Sequence, residues 1–308
     1  MALLFKSDVD RADWWAAELR ARLPDLEVRV WPEVGEPADI EFALVWKPPK
    51  GDLARYPNLK AVFSLGAGVD HLLRDPDLPA VPMCRVVDPQ LTREMSEYVL
   101  FHVLRFHRNQ HLYDRQQRSH TWLEHPQPAP GECRVGIMGL GVLGGDAART
   151  LAAHGFEVAG WSRTAKTIDG VETFHGAQGL AAFLGRTEIL VCMLPLTPDT
   201  AGILDATLFA ALPAGASLIN CARGGHLVED DLSPALDAGR LAAATLDVFA
   251  HEPLAGDHPF WDDPRICVTP HIASISDPRS VADQVAENIR RARAGADLLN
   301  VVDRAAGY

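Results

Sequence analysis

The chain has 308 residues, a formal net charge of −12 and a hydrophobic content of 47%. That length suits two domains of about 100–200 residues, each with its own core. The acidic balance excludes a general nucleic-acid surface, which needs clustered Lys and Arg. The five cysteines (Cys84, Cys133, Cys192, Cys221, Cys267) are dispersed, with no CxxC and no Cys/His ligand spacing. They read as free thiols of a reducing compartment, and no metal is expected. The N-terminal apolar run is too short for a signal peptide, and no stretch approaches the ~18–20 apolar residues of a membrane span. A cytoplasmic protein is expected, with neither membrane nor nucleic acid as partner.

In chain order, "ALLFK" predicts a strand and "DRADWWAAELRARL" an amphipathic helix with Asp10 as its cap. "EVRVW", "FALVW", "AVFSL" and "CRVV" follow as short strands. Strands alternating with helices predict a parallel sheet covered on both faces. "GAGVDHLL" starts a helix directly after the strand that ends at Leu65, and one long helix is expected from Thr92 to Ser119. "HTWLEHPQPAPGE" is a Pro-rich loop, and a new register then opens at Cys133. "RVGIMG", "EVAGW", "ILVCML", "SLINCA", "AATLDV" and "ICVTP" make a six-strand dinucleotide-binding pattern. The tail from residue 275 is read as a helix and an extended end that packs back on the first domain. The expected division is therefore 1–98 plus 275–308, and 99–274.

"RVGIMGLGVLGGDAARTLAAHG" carries Gly139, Gly141 and Gly144 in G-x-G-x-x-G spacing between a strand and a helix. That context makes the pattern specific. Gly139 permits the tight turn, Gly141 lets backbone approach a pyrophosphate, and Gly144 lets the helix pack on the strand. The helix start at Val142 and Leu143 supplies free N–H groups and partial positive charge.

An acid normally ends the next strand and binds the ribose 2′-hydroxyl of NAD. Here the strand ends in Trp161-Ser162-Arg163-Thr164. Ser162 can bond a phosphate oxygen, and Arg163 can pair with a 2′-phosphate that an Asp would repel. Thr164 and Lys166 add a donor and a charge. NADPH is the expected cofactor, with NADH the weaker alternative.

Three polar residues stand just beyond strand ends, where parallel α/β sheets place ligands. They are Arg223 in "NCARGG", Glu252 in "LDVFAHEPL" and His271 in "VTPHIAS". Each alone has a plain structural explanation. Together they fit carbonyl reduction. An Arg clamps a carboxylate, a Glu orients a His and favours its protonated form, and the His gives a proton to the carbonyl oxygen.

Gly139-Leu140-Gly141-Val142-Leu143-Gly144, "NCARGG", "LDVFAHEPL" and "TPHIAS", in that order and at those intervals, resemble the D-2-hydroxyacid dehydrogenases over essentially the whole chain. "ALVWKPP", "SLGAGVDHLL", "WSR" and "VDRAAGY" are similar to the glyoxylate/hydroxypyruvate reductase A subgroup of that family. The resemblance implies an α/β fold of two doubly wound parallel-sheet domains, a flavodoxin-like substrate domain and a Rossmann cofactor domain, with a cleft between them. It implies that Arg223 binds the substrate carboxylate and keto group, with His271 as proton donor and Glu252 as its partner. The turn Leu65-Gly66-Ala67-Gly68 would present N–H groups to the carboxylate, and Trp46 would line the substrate pocket. Pro195 would face the adenine side of the cofactor and Thr200 the pyrophosphate. Cys221, Ala222 and His271 would line the cofactor, and Asp247 would hold the nicotinamide carboxamide. A homodimer formed through the cofactor domains is implied, with the helix from Thr92 and the loop of Trp122 as its elements. One departure is the pair Gly145 and Asp146 after the glycine turn, where a small or basic pair is expected; Asp146, expected in the first turn of the helix, would place an anion near the pyrophosphate.

The expected reaction is NADPH-dependent reduction of a small 2-oxo acid, glyoxylate or hydroxypyruvate. The alternatives are an NAD-linked relative acting on a larger 2-hydroxy acid, and a dinucleotide-sensing regulator without catalysis. A sensor has no need of Arg223, Glu252 and His271.

Overall fold

The computed structural model describes residues 2–307. The chain divides into two compact units, one running up to Leu91 and resuming at Ile275, the other spanning Thr92–Ser274.

The first unit begins with β1 (Ala2–Lys6), α1 (Ala12–Arg22), β2 (Glu27–Val30), β3 (Ile40–Val45), β4 (Ala61–Ser64), α2 (Asp70–Leu73) and β5 (Met83–Cys84). Its sheet runs β2-β1-β3-β4-β5, with every pairing parallel. All residues of β1 and β4 are buried, as expected for strands covered on both faces. Asp10 does not cap α1. Arg11 occupies the N-cap without a side-chain bond, and Asp10 instead accepts from Ser7 Oγ at 2.6 Å. The helix expected directly after Leu65 starts only at Asp70, because residues 65–67 form bends and the next two are irregular.

The second unit holds most of α3 (Pro89–His107), then α4 (Gln110–Arg118), β6 (Arg134–Met138), α5 (Val142–Ala153), β7 (Glu157–Ser162) and β8 (Glu172–His175). It continues through α6 (Gly176–Gly185), β9 (Ile189–Cys192), α7 (Ala206–Ala211), β10 (Ala216–Asn220), α8 (Glu229–Asp237), β11 (Leu241–Leu246) and β12 (Ile266–Val268). The parallel sheet runs β12-β11-β10-β9-β6-β7-β8, so strand order reverses between β6 and β9. Side chains alternate between two cores. Met138, Cys192, Leu218 and Leu246 fill one face, and Val135, Ile137, Val191 and Ile219 the other.

Three further expectations change. The sheet has seven strands, because the short, charged edge strand β8 escaped the apolar pattern. The long helix breaks at Asn109, whose φ of +57° ends α3 and starts α4 without a Gly or Pro to announce it. The first boundary falls after Leu91, inside α3, and not after residue 98. The tail contributes α9 (Pro278–Arg293), which packs on α1, and Val301 bridges to Cys84.

Candidate active site

The glycine turn links β6 to α5 at the reversal of strand order, the usual ligand position in such sheets. Gly139 has φ +105°, and a Cβ there would lie 2.6 Å from the Met193 carbonyl oxygen. A Cβ on Gly144 would lie 1.8 Å from the Gly139 oxygen, so only glycine lets the helix sit this close. A Cβ on Gly141 would meet nothing within 4 Å, which leaves its outer side open to a ligand. Gly141 is the N-cap of α5, and Val142, Leu143 and Gly144 begin the helix. The turn therefore fits a dinucleotide pyrophosphate. Asp146 lies beyond the first turn of α5, which holds no acid. Its carboxylate accepts from Ser96 Oγ at 2.7 Å and lies 3.5 Å from Arg149.

β7 ends at Ser162, which is buried and donates to the Thr164 carbonyl at 2.8 Å. Arg163, Thr164 and Lys166 follow on an exposed turn. Ser162 therefore shapes the turn, and Arg163 carries the charge outward.

Arg223 follows β10 in extended conformation and donates from Nη1 to the Ala222 carbonyl at 2.7 Å. Cys221 and Ala222 beside it are buried, and burial pushes the Cys221 thiol well up. Two residues that sequence reasoning missed fix this backbone. Buried Asn220 donates to the Arg223 carbonyl at 3.1 Å and accepts the Ala222 N–H at 3.2 Å. Buried His226 sets Nδ1 3.0 Å from the Arg223 carbonyl and Nε2 3.3 Å from that of Pro195. Gly224 packs so tightly that a Cβ would fall 1.8 Å from the Phe249 carbonyl carbon. That contact ties the Arg223 loop to the segment leading to Glu252.

Glu252 and His271 lie in the loops after β11 and β12, and the fold brings His271 Nδ1 within 3.0 Å of Glu252 Oε2. Glu252 Oε1 accepts the Phe249 N–H at 3.2 Å. Each carboxylate oxygen thus has a donor, and the imidazole directs Nε2 away from Glu252. His271 has φ +56°, a conformation uncommon for a residue with a side chain. Its N–H donates to the Asp247 carbonyl at 2.8 Å.

Asp247 is fully buried, and burial raises its carboxyl above the usual range against several stabilising bonds. Oδ1 accepts from Thr269 Oγ1 at 2.6 Å and from the Ile272 N–H at 2.9 Å, and Oδ2 from the Ala273 N–H at 2.9 Å. Its observed bonds therefore serve the His271 loop.

Thr200 donates to the Pro195 carbonyl at 2.7 Å and accepts the Thr197 N–H at 2.9 Å, so its hydroxyl closes its own turn. In the first unit, Trp46 follows β3 and lies over Gly66, where a Cβ would meet Trp46 Cζ3 at 2.8 Å. The turn Leu65-Gly66-Ala67-Gly68 is braced by Ser64, whose Oγ accepts the Gly66 N–H at 3.2 Å and donates to the Gly68 carbonyl at 3.4 Å. The five cysteines are free thiols, and no metal-binding cluster occurs among the described residues. No helix among them is long and apolar enough to cross a membrane.

A parallel seven-stranded sheet with this glycine turn, and an Arg, Glu and His beyond its strand ends, defines a dinucleotide-dependent oxidoreductase scaffold. Residues 100–273 match the model of the D-isomer specific 2-hydroxyacid dehydrogenase NAD-binding domain, and the chain belongs to that family. It is 47% identical to a glyoxylate/hydroxypyruvate reductase A of Serratia proteamaculans over the full length of both chains. Its structure is similar to a D-isomer specific 2-hydroxyacid dehydrogenase of Xanthobacter autotrophicus solved with NADPH and MES. The TM-score is 0.96 at 48% identity, covering 100% of this chain and 99% of that one. An NADPH-dependent glyoxylate/hydroxypyruvate reductase of Sinorhizobium meliloti, solved with NADP and sulfate, superimposes with a TM-score of 0.93 at 45% identity. It too is covered at 100% and 99% of the two chains.

Proposed function

We propose that this protein reduces a small 2-oxo acid, glyoxylate or hydroxypyruvate, to the 2-hydroxy acid with NADPH as reductant. The observation that carries the reading is the 3.0 Å pairing of His271 with Glu252 in a chain of this family. When bound, NADPH supplies the hydride that reaches the carbonyl carbon. His271 gives the carbonyl oxygen its proton from Nε2, while Nδ1 stays bonded to Glu252, which orients the ring. Arg223 clamps the substrate carboxylate, since a planar guanidinium matches it with two parallel bonds. For Trp46 and the turn Leu65–Gly68, a substrate-binding role rests on the family resemblance of their sequence.

For the cofactor, Gly139, Gly141, Val142, Leu143 and Gly144 hold the pyrophosphate. Pro195, Thr200, Cys221 and Ala222 line the remainder. Asp247 Oδ2 accepts a single bond, which leaves it a lone pair for the carboxamide. Arg163 takes the 2′-phosphate, and two relatives solved with NADPH or NADP support that preference. The lack of an acid after β7 counts against an NAD-linked enzyme.

A homodimer in the cytoplasm completes the proposal. Trp122 is 96% exposed and Phe101 on α3 64%, an apolar display that suits burial against a second copy. Five free thiols fit a reducing compartment. The function is tested by mixing the protein with NADPH and glyoxylate. Absorbance at 340 nm should fall with turnover, and a flat trace would refute it.

A further inference from the structure

His271 sits in a left-handed backbone conformation that a side chain disfavours, so something must hold its loop there. The Asp247 carboxylate does so by accepting the N–H groups of Ile272 and Ala273. Thr269 Oγ1 lies 2.6 Å from Asp247 Oδ1 and 2.7 Å from Tyr98 Oη. A threonine hydroxyl has one proton. With an ionised Asp247 that proton goes to the carboxylate, so Tyr98 must donate to Thr269. The Tyr98 ring packs 4.3 Å from His102, and His102 Nδ1 lies 3.3 Å from Thr245 Oγ1 on β11, which fixes the phenol.

We infer that Tyr98 and Thr269 form a positioning relay that holds the His271 loop through the Asp247 carboxylate. The inference rests on the reading of His271 as the proton donor. Tyr98 is 171 residues from Thr269 in the chain and belongs to α3. Neither residue touches a reacting atom in this scheme. The relay acts by keeping Nε2 of His271 where the carbonyl oxygen arrives, and a displacement of about 1 Å there can cost of order 100-fold in rate.

The experiment compares Tyr98→Phe, Thr269→Val and Thr269→Ser with wild type. It measures steady-state kinetics and hydrogen exchange of the Ile272 and Ala273 amides. Tyr98→Phe and Thr269→Val should each lower kcat about tenfold or more, with the glyoxylate KM within about twofold of wild type. The two amides should exchange faster in both variants. Thr269→Ser keeps the hydroxyl and should restore kcat and protection, and the double variant should be no worse than Thr269→Val alone. The relay is overturned if kcat stays within about twofold in both variants. It is equally overturned if amide exchange is unchanged, or if the glyoxylate KM rises in parallel with the loss of kcat. If wild type does not reduce glyoxylate, the functional reading fails instead, and amide exchange still decides whether the relay holds the loop.

Discussion

His271 Nδ1 lies 3.0 Å from Glu252 Oε2, although 19 residues separate the two in the chain. Both stand just after strands that are neighbours in the sheet, β11 and β12, so their loops emerge side by side. The sheet delivers the pair, and Gly224 packed on Phe249 ties the Arg223 loop to the same segment.

Replacing His271 by Ala should reduce kcat by about 10²–10⁴, the usual worth of a positioned general acid, with little change in NADPH binding. Glu252→Gln keeps an acceptor oxygen but removes the charge, and a smaller loss in kcat is expected. Steady-state kinetics with glyoxylate and NADPH check both. A His271→Ala enzyme with near wild-type kcat would remove His271 from the role of acid.

Arg223→Lys keeps the positive charge and loses the planar fork. The glyoxylate KM should rise by about tenfold or more, the equivalent of about 1.4 kcal/mol of carboxylate binding. Asn220 and His226 hold the Arg223 carbonyl in place, so the backbone should tolerate the change. If KM and kcat both stay put, the carboxylate is held elsewhere.

On the proposed role of Arg163, Arg163→Ala removes a hydrogen bond to a charged group, worth about 1.5–3 kcal/mol. NADPH affinity should weaken by about one to two orders of magnitude, and NADH affinity should hardly move. Arg163→Asp should go further and favour NADH. Because Arg163 is exposed, raised salt should shrink the wild-type preference. Equal shifts for both cofactors, measured by titration, would reduce the "WSRT" segment to a turn.

Burial pushes His102 and His111 down to about 4, with nearby arginine charges adding to the effect. An unfolded His titrates near 6.5. The unfolded state therefore binds more protons between those values, and stability must fall as pH drops from about 6.5 towards 4. Each buried His can cost up to about 3 kcal/mol at the acid limit. His111→Gln cannot be protonated and should flatten the slope. Urea melts at pH 7 and pH 5 check this, and equal wild-type stability at the two would contradict it.

The sequence is most informative where chemistry needs a residue type at a backbone position. Gly139 and Gly144 are legible because a turn at φ +105° and a helix packed onto it admit nothing else. Arg223, Glu252 and His271 stand out as polar residues in the loops that follow apolar strands. What supports them is not legible. Tyr98 meets Thr269 across 171 residues, and His226 meets Pro195 across 31, contacts that no local pattern encodes. β8 is a polar edge strand without the apolar run that marked its neighbours, and the break at Asn109 lacks the usual Gly or Pro signal. His271 looks like an ordinary loop residue until its positive φ and the Asp247 bonds are seen.

The central claim is tested most directly by kcat/KM for a panel of 2-oxo acids of increasing size, each assayed with NADPH and with NADH. The expected result is highest efficiency for glyoxylate or hydroxypyruvate, at least about tenfold better with NADPH than with NADH, as one charged hydrogen bond at Arg163 would supply. Efficiency that is highest for a larger 2-oxo acid, or equal with the two cofactors, would contradict it.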